Sequence, residues 1–127
     1  MSNPAANKRK GADWEITLMK GLREEGLHVE RLRLSGNEDE GDLYIWFPFT
    51  GPDGGRATYL VIEAKAGAMH PAEFVREARA ERTNFAKHRQ LAEHEDVRSI
   101  VIVKARGKSW KDAYVLTTVR DFFELED

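Results

Sequence analysis

Apolar positions change period along this chain, and the changes mark its elements. Trp14, Leu18 and Leu22 recur at i, i+4 and i+8, the stripe of an amphipathic helix. The pattern predicts a helix from about Ala12 to Glu25, with Gly26 in the C-terminal cap position. The polar residues 1–10, Pro4 among them, are expected to form a flexible basic arm ahead of a single domain over 11–127. His28 to Leu34 reads as a first strand and Ser35 to Gly41 as a polar loop. Leu43 to Phe49 is rich in β-branched and aromatic residues and predicts a second strand. Thr50 to Gly55 (TGPDGG) is a strong turn signal, and Thr58 to Lys65 (TYLVIEAK) predicts a third strand, so these two strands should pair as a hairpin.

Pro71 suits the first turn of a long helix reaching about His94, with Phe74, Ala78, Phe85 and Ala92 on one side. Ser99 to Ala105 reads as a buried strand, Arg106 to Asp112 as a basic turn, and Ala113 to Thr118 as a last short strand. A short amphipathic end follows around Phe122 to Leu125. The expected order is α-β-β-β-α-β-β-α, an α/β fold with a central mixed β-sheet flanked by helices. Trp14 and Trp46 are expected in the core.

Composition narrows the classes. With 127 residues, 41% hydrophobic and 33% charged, the chain suits one folded domain rather than a disordered tail. No apolar run approaches the roughly 20 residues that cross a bilayer, so no membrane is expected as a partner. The basic N-terminus lacks the apolar stretch of a signal peptide, so a cytoplasmic location is expected. The absence of cysteine removes disulfides, thiolate metal sites and thiol nucleophiles together. The four histidines lack metal-ligand spacing, and there is neither a G-x-S-x-G elbow nor a phosphate-binding GK[ST] loop.

Net charge is only −2, but the charges are segregated. Lys8, Arg9 and Lys10 cluster near the start; Lys104, Arg106, Lys108 and Lys111 surround Trp110 with no acid until Asp112; Glu38, Asp39, Glu40 and Asp42 form an acidic run. Basic groups of this kind would grip phosphate, and the Trp110 indole would either stack on an exposed base or fold back on the core.

The third strand carries the candidate chemistry. Glu63 and Lys65 alternate with Ala64, so they point to one side where the strand leaves the core. A surface ion pair is the plain alternative. The hairpin, however, brings Asp42 beside Glu63. Two adjacent carboxylates repel unless a divalent cation lies between them, and Mg²⁺ favours such oxygen ligands. The neighbouring lysine would then steer a water or stabilise developing negative charge. Glu15 sits at the edge of the first helix stripe and can face the sheet; an ordinary first-turn glutamate is its alternative.

Taken in order, these residues resemble a family. Lys10-Gly11-Ala12-Asp13-Trp14-Glu15 is similar to the start of the archaeal-type Holliday junction resolvases, and Arg33-Leu34-Ser35-Gly36 to their arginine and serine-glycine loop. Gly41-Asp42-Leu43 followed by Glu63-Ala64-Lys65 resembles the PD-(D/E)XK nuclease signature, with Gly41 where proline is usual. Small phage-encoded nucleases of this type match the chain in size.

The resemblance implies a restriction-endonuclease-like fold and a Mg²⁺-dependent endodeoxyribonuclease, with Mn²⁺ as a substitute, acting in recombination and repair. It implies metal ligation by Asp42, Glu63 and the Ala64 carbonyl, completion of the site by Glu15, and positioning or activation of the attacking water by Lys65. It implies phosphate contacts from Lys8, Arg9 and Lys10, with Ser35 near the scissile strand. Lys104, Arg106 and Lys108 are further DNA-binding candidates. The implied partners are branched DNA, chiefly a four-way junction, and a second copy in a two-fold homodimer. The host cytoplasm is the implied setting for a phage-encoded member. A same-fold nuclease of flaps, damaged or restriction-type duplex, and a non-catalytic DNA-binding module, are the alternatives.

Overall fold

The computed structural model describes residues 4–32, 41–51, 54–90 and 96–126. Helix α1 (Pro4–Glu24) leads into strands β1 (Val29–Arg31), β2 (Leu43–Gly51) and β3 (Gly54–Lys65). Helix α2 (Pro71–His88), β4 (Asp96–Val103), β5 (Tyr114–Leu116) and α3 (Val119–Phe123) complete the expected order. A short 3₁₀ turn, Trp110–Asp112, precedes β5.

The five strands form one mixed sheet in the order β1-β2-β3-β4-β5. β3 and β4 are parallel, joined by the α2 crossover, and the other neighbours are antiparallel. The hairpin forms as expected, with Leu43 opposite Ile62 at its open end.

The helices cover opposite faces. Trp14 and Leu18 of α1 pack with Val29, Leu43, Ile45, Ile62, Ala64 and Ile102. Phe74 and Ala78 of α2 pack with Val101 and Val103. Strand residues alternate sides, so Ile62 and Ala64 look toward α1, while Val61, Glu63 and Lys65 look toward α2. The Trp14 Nε1–H donates to the Ile102 carbonyl at 3.3 Å, fixing α1 across the sheet.

Boundaries differ from the pattern for physical reasons. Helix α1 begins at Pro4, so residues 4–10 are its first turns rather than a loose arm. Pro4 has the φ a first turn needs, and Ala5 and Ala6 favour helix, which a reading of polarity alone misses. Its end is as predicted: Gly26 lies at φ +91°, its N–H donates to the Arg23 carbonyl, and that of Leu27 to the Leu22 carbonyl. Helix α2 stops at His88 rather than His94, because Gln90 turns left-handed at φ 50°. Ala92, the Glu38–Asp39–Glu40 run and the centre of the TGPDGG turn lie outside the described residues.

Two tryptophans are also resolved. Trp46 is 40% exposed, not in the core, because its neighbours Ile45 and Leu43 take the α1 side. Trp110 folds back: it packs against the α1-side core, and a Cβ on Gly21 would lie 2.4 Å from its ring.

That contact is testable. Alanine normally stabilises a helix over glycine by about 1 kcal/mol. Gly21→Ala should instead destabilise by about 1–3 kcal/mol, because the indole must leave its seat. A thermal melt should show a fall in Tm of about 4 °C or more. Adding Trp110→Ala should remove most of that penalty; a rise in Tm for Gly21→Ala alone would show that the indole does not sit there.

Candidate active site

Four elements deliver acids to one end of the sheet. Asp42 lies just before β2, one step outward from the Leu43–Ile62 pair. Its N–H donates to the Ile62 carbonyl at 3.0 Å, and its carbonyl accepts from the Leu32 N–H at 2.8 Å. The Ala64 N–H donates to its carboxylate at 2.7 Å. The backbone therefore fixes this side chain against the end of β3. Ala64 enters the site through that N–H, whereas the resemblance assigns its carbonyl.

Glu63 is buried, 7% exposed. Its Oε1 lies 3.3 Å from the Lys65 Nζ, while its buried Oε2 has no hydrogen-bond partner among the described residues. Glu15 reaches in from α1, bonds the Asp42 carboxyl, and pairs with the Arg31 guanidinium at 3.1 Å. The structure thus brings Glu15, Asp42, Glu63 and Lys65 together. Glu15 faces the sheet and is not a solvated first-turn glutamate, since α1 begins eleven residues earlier at Pro4.

Helix α2 adds acids that the sequence reading missed. Oxygens of Glu63, Glu77 and Glu81 lie within 4.8 Å of one another, and Glu77 takes a 2.7 Å ion pair from Lys65. The signal was present in the helix stripe. Phe74, Ala78 and Phe85 define the inner side, and Glu77 and Glu81 fall within the same stripe.

Gly41 explains how the chain closes over this cluster. It lies at φ +105°, a conformation open to glycine and closed to proline. A Cβ there would sit 2.7 Å from Val61 Cγ1 and 3.4 Å from a Glu81 carboxylate oxygen.

Electrostatics follow from the crowding. Burial pushes the Asp42 carboxyl up, and the charge of Glu63 pushes it further. The Ala64 N–H opposes this, Glu15 adds to it, and the result is about 8 against an ordinary 3.8. Burial pulls the Lys65 ammonium down, but its hydrogen bond to Glu77 and the charge of Glu63 more than offset it, and the net shift is upward. Lys65 is therefore a cation that can attract oxygen, not a ready proton acceptor.

These donors suit a divalent cation. The set is all oxygen, Glu63 Oε2 is buried without a hydrogen bond, and Asp42 holds a proton that a cation would displace.

The basic candidates divide. Lys104, Arg106 and Lys108 are exposed at the same end of the sheet, where the Lys104 N–H donates to the Lys65 carbonyl at 2.9 Å. Lys10 is exposed on α1. The side chains of Lys8 and Arg9, and all of Ser35, lie outside the described residues. Lys111 pairs with Glu25 at 3.1 Å, and Arg79 pairs with Asp121 at 3.2 Å.

Comparison of the chain with protein-family models, curated proteins and solved structures found no match.

Asp42 makes stability depend on pH. An unfolded aspartate titrates near 3.8 and the folded one near 8, so between these values the folded state holds the extra proton. Stability must then fall as pH rises through that window. In EDTA, Tm should fall from pH 5 to pH 8 for wild type and much less for Asp42→Asn, which should melt about 4 °C or more higher at pH 8. Added Mg²⁺ should raise the wild-type Tm at pH 8 and barely at pH 5. An unchanged pH slope in Asp42→Asn would refute the assignment.

Proposed function

We propose that this chain is a Mg²⁺-dependent endodeoxyribonuclease of the restriction-endonuclease-like fold, hydrolysing phosphodiesters in branched DNA. The observation that carries the reading is the convergence of Asp42, Glu63 and Lys65 at the open end of the β2–β3 hairpin, with Glu15 beside Asp42. The α1-β1-β2-β3-α2-β4 order and the parallel β3–β4 pair support it. A four-way junction cut by a two-fold homodimer is the substrate and assembly that the motif resemblance favours.

Asp42 and Glu63 would hold the ion, with Glu15 beside Asp42. When bound, Mg²⁺, or Mn²⁺ in its place, neutralises phosphate charge and makes water more acidic. Lys65, tethered between Glu63 and Glu77, presents its ammonium to the oxygens where negative charge develops. Lys104, Arg106 and Lys108 offer phosphate contacts at the same sheet end, and Lys8, Arg9 and Lys10 precede Glu15 on α1. No helix among the described residues is long and apolar enough to cross a membrane.

Cleavage of a labelled immobile four-way junction, a flap and plain duplex tests the reading. Cutting should require Mg²⁺ and stop in EDTA. Glu63→Ala and Lys65→Ala should each lose at least about 100-fold in rate while remaining folded by circular dichroism. Cutting that survives EDTA, or that Glu63→Ala leaves intact, would remove the acidic cluster from the mechanism.

A further inference from the structure

A groove of about 670 Å³ lies on the sheet face that carries Glu63 and Lys65, lined by His28, Glu30, Tyr44, Trp46, Tyr59, His88 and Arg89. The shared face follows from strand alternation. Leu43 and Ile45 belong to the α1-side core, so Tyr44 and Trp46 project the other way. Tyr44 and Tyr59 both meet Phe85 of α2, at ring separations of 5.3 and 5.6 Å. Tyr44 and Trp46 are two and four residues along the chain from Asp42. At about 3.3 Å per residue, Trp46 stands some 13 Å from the acids, roughly the rise of four stacked nucleotides.

The lining suits one kind of ligand. Trp46 is 40% exposed, although a sheet-borne indole with a packing partner would be covered. The His28 ring lies 6.4 Å from it. The Arg89 guanidinium sits over Tyr44 at 4.8 Å and over Phe85 at 4.5 Å, a flat cation at the rim of an aromatic floor. Glu30, the carboxylate in the lining, is countered by Arg23 at 3.7 Å. Flat rings with a cation at their edge match the faces of unpaired bases and the phosphates that link them. A paired duplex hides those faces.

Resting on the nuclease reading above, we propose that this groove seats unpaired nucleotides of the strand entering the acidic site. The preferred substrate is then branched DNA carrying a single-stranded segment, such as a flap or splayed arm, over plain duplex. Trp46 and Tyr59 stack bases, and Arg89 holds a phosphate.

Binding and cutting are measured separately. With Ca²⁺ replacing Mg²⁺, fluorescence anisotropy should show wild type binding a labelled splayed duplex more tightly than the matching plain duplex. Trp46→Ala and Arg89→Glu should weaken splayed-duplex binding by about 5- to 100-fold and plain-duplex binding far less, with Trp46→Phe retaining most of the affinity. Oligo-dT should quench wild-type tryptophan fluorescence, and the Trp46→Phe variant should lose that quenching, because Trp14 is buried and Trp110 is packed on the core. Equal binding of splayed and plain duplex, or unchanged binding in Trp46→Ala and Arg89→Glu, overturns the proposal and leaves this face to another partner. If wild type cuts DNA with Mg²⁺ but Trp46→Ala binds and cuts a flap equally well, the groove assignment fails and the acidic site stands. If nothing is cut yet oligo-dT quenches Trp46, the groove stands and the nuclease reading fails.

Discussion

Holding the Asp42 carboxylate out of water beside Glu63 is unfavourable, and the open end of the hairpin is built to tolerate it. The Ala64 N–H offsets part of the cost by bonding the carboxylate directly. Cations stand at the outer acids: Arg31 at Glu15, and Lys65 between Glu63 and Glu77. The remaining strain is carried by apolar packing. Glu15 follows Trp14 and precedes Leu18 by three residues, and both of those are core residues of α1. Glu77 adjoins Ala78, and Glu81 lies four residues before Phe85, both buried on the inner side of α2. Each acid therefore has a hydrophobic anchor within one helical turn, which keeps repulsion from simply swinging the helix away.

The two sheet faces do different work as a result. The α1 face is a continuous apolar core running from Val29 through Ile45 and Ile62 to Ile102. The α2 face is apolar at Phe74, Ala78, Val101 and Val103, acidic at Glu63 and Glu81, and aromatic at Tyr44 and Tyr59. One face is filled by the apolar core, and the other gathers acidic and aromatic side chains. The parallel β3–β4 pair joins these roles, because it places Lys104 next to Lys65 while burying Val101 and Val103 beneath α2.

Local rules made much of this legible. Strand alternation put Glu63 and Lys65 on one side, and the TGPDGG turn brought Asp42 to Glu63 without knowledge of any other element. Gly26 marked the end of α1 because its left-handed cap is a strictly local demand. What escaped was non-local or masked by polarity. The start of α1 looked like a tail because its residues are polar, though their helix propensity is good. The inner stripe of α2 contains Glu77 and Glu81, but their partner, Glu63, lies across a parallel crossover, so the stripe alone does not say which acid they meet. Trp46 looked like core because its residue type is apolar; only the full sheet shows that α2 covers the β3–β4 side and leaves that indole exposed.

The seat of Trp110 against Gly21 has a consequence for the order in which the molecule assembles. Every acid of the cluster has been synthesised by residue 81, yet the helix carrying Glu15 is clasped by an indole that emerges much later. A nascent or shortened chain ending before that indole owns all the carboxylates and lacks the clasp that steadies one of them. The geometry of the cluster is thus completed from its far end, and a fragment containing the whole motif is not equivalent to the folded domain.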